Sequence, residues 1–425
     1  MSARQDAVSE EVVRPRRRWL RGGPVLVAVV VSLTVAACST TPSASPAAST
    51  SSTAPGPEQQ QVAAIAKAAM ATYDLRALIV RVTTDGRNTY TAAMGESMTG
   101  VPATVDMQFR NGFIAYSYLT TILLELVDRK KISLDDKLSK YFPNLPEANE
   151  ITIKMLANST SGYADYVYQP AVLDGINLDP FRQWSTAELI QIGTSAPPTF
   201  PPGTNFAYAH TNYAILGEVL AKVGGAPLSQ LMKQYIFEPM GLTHTRSSDT
   251  PQIPEPVLHT FSSERRETLG IPPATPFTED STFWNPSWTA PEGAVQTTDI
   301  DDLTTSIQQI GSGALLSPAS HQAQVGPNLV GFGQPAPGCS ACRANTATAS
   351  FGMGVILQGP WITGNKFYAG SGAAFGYLPS QKIAIAVVTT YLPSAFDDQG
   401  NVTDAGPKIM ASLSKALAPT SPIPG

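Results

Sequence analysis

Residues able to do acid–base or nucleophilic chemistry are sparse in this chain, which has four histidines and three cysteines among its 425 residues. The most suggestive pair is Tyr208 and His210, because a phenol and an imidazole placed close together can exchange a proton. The alternative is a histidine that only hydrogen-bonds in a polar pocket, and we favour it. Ser412 and Lys415 have the Ser-x-x-Lys spacing, but no further signature surrounds them on a predicted terminal helix. We interpret that spacing as a coincidence.

The other histidines and the late cysteines do not predict a metal or cofactor site. His244 and His259 fall in predicted loops, and His321 falls near a helix start. None of them has a carboxylate at a sequence spacing that is typical of a metal site. Cys339 and Cys342, in GCSACRA, lack a second Cys/His pair nearby, so a zinc site is disfavoured. Outside the cytosol we expect the two cysteines to form a local disulfide, with thiol exchange as the alternative.

The first 37 residues predict an export signal. Several arginines precede an apolar run, residues 24–37, which is shorter than the roughly 20 residues that span a bilayer. The run ends in VAAC and resembles a bacterial lipobox, in which Cys38 receives the lipid. An ordinary signal peptide or an uncleaved anchor is the alternative. We therefore expect an extracytoplasmic lipoprotein, held on the bacterial cell membrane through Cys38 and facing the cell wall.

The rest of the chain divides by composition. Residues 38–60 are rich in Ser, Thr, Pro and Ala and predict a disordered tether. A globular domain is expected over residues 61–418, followed by a short tail at 419–425. The formal net charge is −5, and since the export signal is arginine-rich, the mature part is more acidic still. That charge argues against a nucleic-acid partner.

Hydrophobic patterns within the domain predict both helices and strands. An alanine-rich helix at 61–72 precedes two strands joined at Asp85-Gly86, a hairpin signal. Apolar residues at helical spacing follow Ser117. A continuous apolar strand at 382–391 comes just before a closing helix. The pattern predicts an α/β fold with a sheet built from both termini, flanked by helices, and an inserted helical lobe with a cleft beside it.

Seven motifs in register resemble the superfamily of serine β-lactamases and penicillin-binding proteins, in particular class C β-lactamases, D-alanyl carboxypeptidases and related esterases. The resemblance covers roughly residues 62–418 and implies the β-lactamase/transpeptidase-like fold, with an antiparallel sheet. The motifs are FRNG with the helix ending ISLDDKLSKYFPNLP, ITIKMLANSTSGYADY, FPPGTNFAYAHTNYAILGEVL, IFEPMGLTHT, APEGAVQTTDIDDL, GALLSP and GSGAAFGY.

That family's chemistry uses a serine at a helix start and a lysine one turn later, which takes the serine proton. It also uses a tyrosine with a nearby asparagine, and a triplet on the sheet edge that begins with a cation. In this chain the serine and lysine positions match Phe113 and Tyr116. The tyrosine is kept as Tyr208, but the asparagine position is His210.

The resemblance also implies that GSGA carries the sheet-edge triplet. Gly370 then stands at the cation position, while Ser371 and Gly372 are kept. Ser117 lies one turn beyond Phe113, about 5.4 Å along the helix, which is too far for the inherited oxyanion donors. The combined losses predict that catalysis of the family's kind is absent.

Two interpretations of Phe113 and Tyr116 follow. They fill the old pocket, which we favour and which points to protein partners, or they line a remodelled groove that takes a small ligand or peptide. The leading hypothesis is a pseudoenzyme that binds peptidoglycan peptides or scaffolds envelope proteins. The second is an active serine hydrolase with a relocated site, acting on esters, amides or D-amino-acid peptides. The third is a lipoprotein that modulates an active relative.

Overall fold

The computed structural model describes residues 56–424. The predicted export signal, Cys38 and most of the predicted tether lie outside the described residues. Among residues 56–424, none of the helices is both long and apolar enough to cross a membrane.

The described chain begins with α1 and a group of strands, continues through a mostly helical middle, and ends with a second group of strands and α11. The helices are α1 (Pro57–Thr72), α2 (Ile114–Asp128), α3 (Ile153–Ala157), α4 (Pro170–Leu178), α5 (Thr186–Ser195), α6 (His210–Gly224), α7 (Leu228–Met232), α8 (Glu238–Met240), α9 (Ile300–Ser312), α10 (Pro318–Val325) and α11 (Ala405–Leu417). The strands are β1 (Leu75–Thr84), β2 (Arg87–Met98), β3 (Val101–Pro102), β4 (Phe109–Arg110), β5 (Arg246–Ser247), β6 (Phe261–Ser262), β7 (Glu279–Asp280), β8 (Gln296–Thr298), β9 (Ala349–Phe351), β10 (Ile356–Gln358), β11 (Trp361–Tyr368), β12 (Ser371–Leu378) and β13 (Ile383–Tyr391).

The main sheet has eight strands in the order β3-β2-β1-β13-β12-β11-β10-β9. Every neighbouring pair in it is antiparallel. The pairing of β1 with β13 joins the two ends of the domain, as the sequence predicted. The hairpin predicted at Asp85-Gly86 is also confirmed, because β1 and β2 pair on either side of it.

The central strands are buried on both faces, which explains their continuous apolar character. In β13, Ile385 and Val387 pack in one cluster with α1 and α11, while Ala386 and Val388 pack in another with α2 and α9. Alternate residues of a strand point to opposite faces, so each strand contributes to both cores. The sheet therefore carries a helical layer on each side.

Helix α2 passes through the larger core and carries the first motif. Twelve of its 15 residues are buried, so it is apolar around most of its surface. Gly112 precedes it with φ +67°, and a Cβ there would lie 2.5 Å from the Cβ of Lys366 on β11. A residue without a side chain is therefore required for the start of α2 to approach β11 this closely.

Two predicted domain boundaries are wrong. The tether was expected to reach residue 60, but α1 begins at Pro57, where the fixed φ of proline suits the first helical turn. The tail was expected to be separate, but Ile423 is 7% exposed within a core cluster. The indole Nε1 of Trp361 also donates to the carbonyl of Ser421 at 2.7 Å. Residues 419–424 thus belong to the folded domain.

Candidate functional site

An open cleft of about 570 Å³ lies where the start of α2, the end of β11 and the start of α6 meet. Cavities of this volume hold small-molecule ligands in other proteins. Its lining combines aromatic side chains with small apolar and polar ones, and includes Phe113, Tyr116, Tyr208, His210, Trp288, Phe351, Lys366 and Tyr368. The cleft is therefore open, which contradicts the interpretation that aromatic side chains fill the old pocket and leaves the remodelled groove as the remaining interpretation.

Phe113 and Tyr116 form one wall of this cleft. Phe113 is the N-cap residue of α2, so it lies at the N-terminal end of the helix. Its centroid lies 5.6 Å from that of Tyr116 in an edge-to-face contact and 6.1 Å from that of Phe351. Tyr116 stacks on Tyr213 at 4.2 Å, and its hydroxyl donates to the carbonyl of Thr289. These contacts hold the rings against the wall and leave the cleft open.

Tyr208 and His210 lie together, as predicted, and the structure adds Asp165 to them. Nδ1 of His210 is 2.9 Å from Oδ2 of Asp165, and Nε2 is 3.4 Å from the Tyr208 hydroxyl. The Asp165 side chain is 4% exposed and the His210 side chain 18%. A carboxylate that accepts from Nδ1–H leaves the Nε2 lone pair facing the phenol. Burial raises the pKa of Tyr208 well above its usual range, so the phenol stays protonated and can donate a hydrogen bond.

The prediction that Gly370, Ser371 and Gly372 form the cleft-side triplet is wrong. They begin β12, which lies between β11 and β13 in the interior of the sheet, and they are not among the residues that line the cleft. Gly370 has φ +70° in the tight turn before β12, where a Cβ would lie 1.9 Å from the carbonyl oxygen of Phe261. Its role is to make that turn.

The structure places a cation at the cleft that the sequence interpretation did not consider, Lys366 on β11. Lys366 is 8% exposed and lines the cleft. Its Nζ donates to Oγ of Ser371 at 2.9 Å. Burial, followed by the positive charge of Arg110, lowers the pKa of Lys366 to about 7. Only the first three residues of β11 pair with β10, and the unpaired end of β11, with Lys366, borders the cleft.

Other serines considered from the sequence lie away from the cleft surface. Ser117 is 1% exposed, and its Oγ donates to the carbonyl of Gly354 at 2.5 Å. Ser412 is on the exposed face of α11, with its Oγ bonded to the carbonyl of Lys408 at 3.0 Å. Neither lines the cleft. The structure thus brings no predicted serine to the position where a cleft-bound carbonyl group would lie.

Cys339 and Cys342 form the predicted disulfide. Cys342 also makes a β-bridge with Ala207, the residue before Tyr208. Both cysteines pack with Phe200 and Ala207 in a small apolar cluster. The disulfide loop therefore supports the segment that carries Tyr208.

The structure also groups His244 with two carboxylates that were not predicted to be near it. The ligand atoms of His244, Asp299 and Asp302 lie within 4.8 Å of one another. Oδ2 of Asp302 already accepts from the backbone N–H groups of His244 and Thr245 and from the Thr245 hydroxyl. This group caps and ties together the start of α9.

Three residues at the cleft escaped the sequence interpretation: Asp165, Arg110 and Lys366. Asp165 and Arg110 lie within the motifs SGYADY and FRNG, so these motifs could have identified both residues as candidates for the site. Lys366 belongs to no quoted motif. Only the strand pairing, which places β11 beside the start of α2, identifies it.

Comparisons with known proteins agree with this architecture. The sequence model of the family described as "Beta-lactamase" matches residues 62–405. "Penicillin-binding protein 4" of Amycolatopsis lactamdurans is 25% identical over 305 residues, 68% of this chain and 74% of that protein. Further curated relatives are matched over only 29 to 36% of their own length.

Solved structures show the same fold. A D-stereospecific amidohydrolase from Streptomyces sp. aligns with TM-score 0.68 and 20% identity, covering 86% of this chain and 100% of that one. The D-amino acid amidase from Ochrobactrum anthropi SV3, complexed with D-phenylalanine, aligns with TM-score 0.71 and 18% identity, covering 85% and 99%. By its family match and its sheet, this chain belongs to the beta-lactamase family of serine hydrolases, with the β-lactamase/transpeptidase-like fold.

Proposed function

We propose that this chain is a lipid-anchored protein of the bacterial cell envelope that binds a ligand non-covalently in its cleft, as a pseudoenzyme of its family. The observation that carries the proposal is the pairing of an open cleft with Phe113 and Tyr116 at its helix start. The pocket is present, but aromatic rings occupy the two positions at which the resemblance places the serine nucleophile and the lysine that takes its proton.

The chemical reason is that neither replacement can do the missing step. A phenyl ring has no lone pair to attack a carbonyl carbon. The Tyr116 hydroxyl donates to Thr289, and burial raises the pKa of Tyr116 well above its usual range, so it is not a base. In subtilisin, loss of the nucleophile or of its base alone costs about 10⁶ in kcat.

The envelope role combines the cleft with the predicted anchor. A lipid on Cys38 and a flexible segment after it would hold the domain near the membrane surface. The aromatic lining supports recognition of peptidoglycan peptides or of a segment of an envelope protein. The names of the relatives, a penicillin-binding protein and a D-amino acid amidase, support a peptide-like ligand.

Intact-protein mass spectrometry tests the proposal. The full chain is incubated separately with benzylpenicillin and with a fluorophosphonate serine probe, and we expect an unchanged protein mass in both samples. An active β-lactamase, treated in parallel, provides the positive control. A mass adduct that maps to a serine of this chain overturns the proposal.

The contact between Asp165 and His210 favours a second candidate, a hydrolase with a relocated site. Asp165 orients the imidazole so that Nε2 can take a proton from a cleft water as that water attacks a bound carbonyl carbon. The protonated imidazole then gives this proton to the leaving group as the bond to the carbonyl carbon breaks, while the Tyr208 hydroxyl stays protonated beside it. Turnover of D-phenylalanine amide or p-nitrophenyl acetate distinguishes the candidates. The second requires turnover that His210→Asn abolishes, whereas the pseudoenzyme proposal predicts none.

A further inference from the structure

Lys366 is a buried amine at the edge of the cleft to which the proposed function gives no role. The residue is 8% exposed, and it lines both the cleft and a side cavity of about 10 Å³ that Ser371 also borders. Its stem packs against Gly112 at the start of α2, where an added Cβ would lie 2.5 Å from the lysine Cβ. This packing holds the stem of Lys366 at the boundary between the two spaces.

The surroundings of the Lys366 amine favour its neutral form. Burial is the main cause, followed by the positive charge of Arg110, and together they lower the pKa of Lys366 to about 7. Asp404 acts in the opposite direction and favours the charged form, but its effect is smaller than those of burial and Arg110. About half of the molecules therefore carry a neutral amine at pH 7. A neutral amine has a lone pair that can attack a carbonyl carbon.

The hydrogen bond of this amine runs to a neutral group. Nζ donates to Oγ of Ser371 at 2.9 Å, while Asp404 accepts from the backbone of Gly406 and the side chain of Asn365. A hydroxyl can both accept and donate, so Ser371 can pass a proton to or from the amine. The last bonds of a lysine stem turn between staggered positions without backbone movement. Nζ can therefore exchange its contact with Ser371 for a position in the cleft.

The cleft offers room and an aromatic wall beside this amine. Its volume is about 570 Å³, and the rings of Phe113, Tyr208 and Phe351 lie with their centroids 6.0 to 6.2 Å apart. Tyr368 also lines the cleft, and burial raises the pKa of its phenol, which therefore stays protonated. Such rings bind aromatic and apolar groups. A compound with a tail of that kind can therefore lie against the wall and direct a reactive carbonyl group at Lys366.

We propose that the Lys366 amine captures small aldehydes with an aromatic or apolar tail and holds them in the cleft as a reversible imine. Nζ attacks the aldehyde carbon, a C–N bond forms, and the carbonyl oxygen takes a proton to give a carbinolamine. The C–O bond then breaks, and the oxygen leaves as water with both amine hydrogens, which yields the C=N bond. The reaction needs no further reactant, and water reverses it. This activity goes beyond the proposed non-covalent binding, because it forms a covalent bond at a lysine.

Reductive trapping on the full chain tests the proposal. The protein is incubated at pH 7 with 3-phenylpropanal and sodium cyanoborohydride, which reduces an imine to a stable secondary amine. Peptide mass mapping then measures the labelling rate of each lysine. A lysine amine of ordinary pKa is almost wholly protonated at pH 7. We therefore expect Lys366 to be labelled at least about tenfold faster than Lys154, an exposed lysine on α3. In denaturing urea, which removes the cleft, this difference should disappear.

Propanal is the matched probe without a ring. It should label Lys366 at least about threefold more slowly than 3-phenylpropanal, because an aromatic contact is lost, while Lys154 should react similarly with both aldehydes.

Arg110→Gln tests the neighbouring charge. Its removal should raise the pKa of Lys366 and slow the labelling at pH 7 by at least about threefold. Arg129→Gln, at the exposed end of α2, is the matched control and should leave the rate unchanged. Circular dichroism shows whether both variants fold, and the measurements on the unchanged chain test the proposal without them.

Four results overturn the inference. They are equal labelling of Lys366 and Lys154 in the folded chain, faster labelling of Lys366 that persists in denaturing urea, equal rates at Lys366 with the two aldehydes, and an unchanged rate in a folded Arg110→Gln variant. Each of them leaves the proposed binding function standing. A serine adduct with benzylpenicillin or the fluorophosphonate probe would instead overturn that function and leave the lysine chemistry standing.

Discussion

Nδ1 of His210 lies 2.9 Å from the carboxylate of Asp165, although 45 residues separate them in the chain. The contact fixes the imidazole at the start of α6, and it points the other ring nitrogen at Tyr208. Asp165 also accepts from the backbone N–H of Val167 at 3.1 Å, so one buried side chain orders both the cleft wall and a tight turn. Asp165, His210 and Tyr208 thus form a hydrogen-bonded structural unit in the wall of the cleft.

Asp165→Asn should therefore destabilise the fold. A carboxamide is a weaker acceptor for His210 than a carboxylate, and hydrogen bonds to charged groups contribute about 1.5 to 3 kcal/mol. We expect a loss of about 2 kcal/mol in the free energy of unfolding, measured by urea denaturation at pH 7. Asp135→Asn, at an exposed position, is the matched control and should change little. Equal stability of the two variants would show that the contact is energetically unimportant.

Introducing a serine and a lysine at the start of α2 should not create catalysis. Phe113→Ser with Tyr116→Lys supplies a hydroxyl and an amine one turn apart, but His210 stays bound to Asp165 beside them. The change also removes the Tyr116 hydrogen bond to Thr289 and its stacking on Tyr213. We expect hydrolysis of a chromogenic cephalosporin to stay within about tenfold of the rate with the unchanged chain. Rapid turnover would mean that the scaffold remains close to an active enzyme.

The titration of Lys366 should make the free energy of unfolding depend on pH between about 7 and 10.5. Its folded-state pKa of about 7 lies below the ordinary value of 10.5. Between those values the unfolded chain binds a proton that the folded chain does not, so this residue's contribution to stability falls as pH decreases from about 10.5 to 7. Lys366→Met should therefore gain stability relative to the unchanged chain as pH is lowered over that window.

Urea denaturation at several pH values between 7 and 10 measures the difference in unfolding free energy for Lys366→Met. Lys154→Met, at an exposed position on α3, is the control and is expected to show no trend. A pH-independent difference for Lys366→Met would contradict the lowered pKa.

The Cys339–Cys342 disulfide should contribute modestly to global stability and more to local order. It closes a short loop, with a sequence separation of 3, for which the chain-entropy estimate is about 2 kcal/mol. In the double serine variant we expect a loss of that size, together with faster amide hydrogen exchange around Ala207 and Tyr208. Exchange that changes only within the loop would show that the disulfide does not support the cleft wall.

The local elements followed from the sequence because short-range physics determines them. The strand β1, the Asp85-Gly86 turn and the continuous apolar strand β13 needed no tertiary information. The boundaries were less accurate. Residues 57–60 gain their helical structure from a proline start and a cap at Gly56, which composition alone did not reveal.

Within the site, the sequence determined the identities that matter most: Phe113 and Tyr116 at the helix start, Tyr208 beside His210, and the Cys339–Cys342 pair. Tertiary structure decided whether the cleft was filled or open, because that depends on where aromatic rings pack. It also decided which cation faces the cleft, because strand pairing, rather than motif order, places Lys366 beside α2 and leaves Gly370 in a turn. Asp165 and Arg110 acquire their roles for the same reason: contacts between residues distant in the chain exist only once the sheet and the helical lobe have packed together.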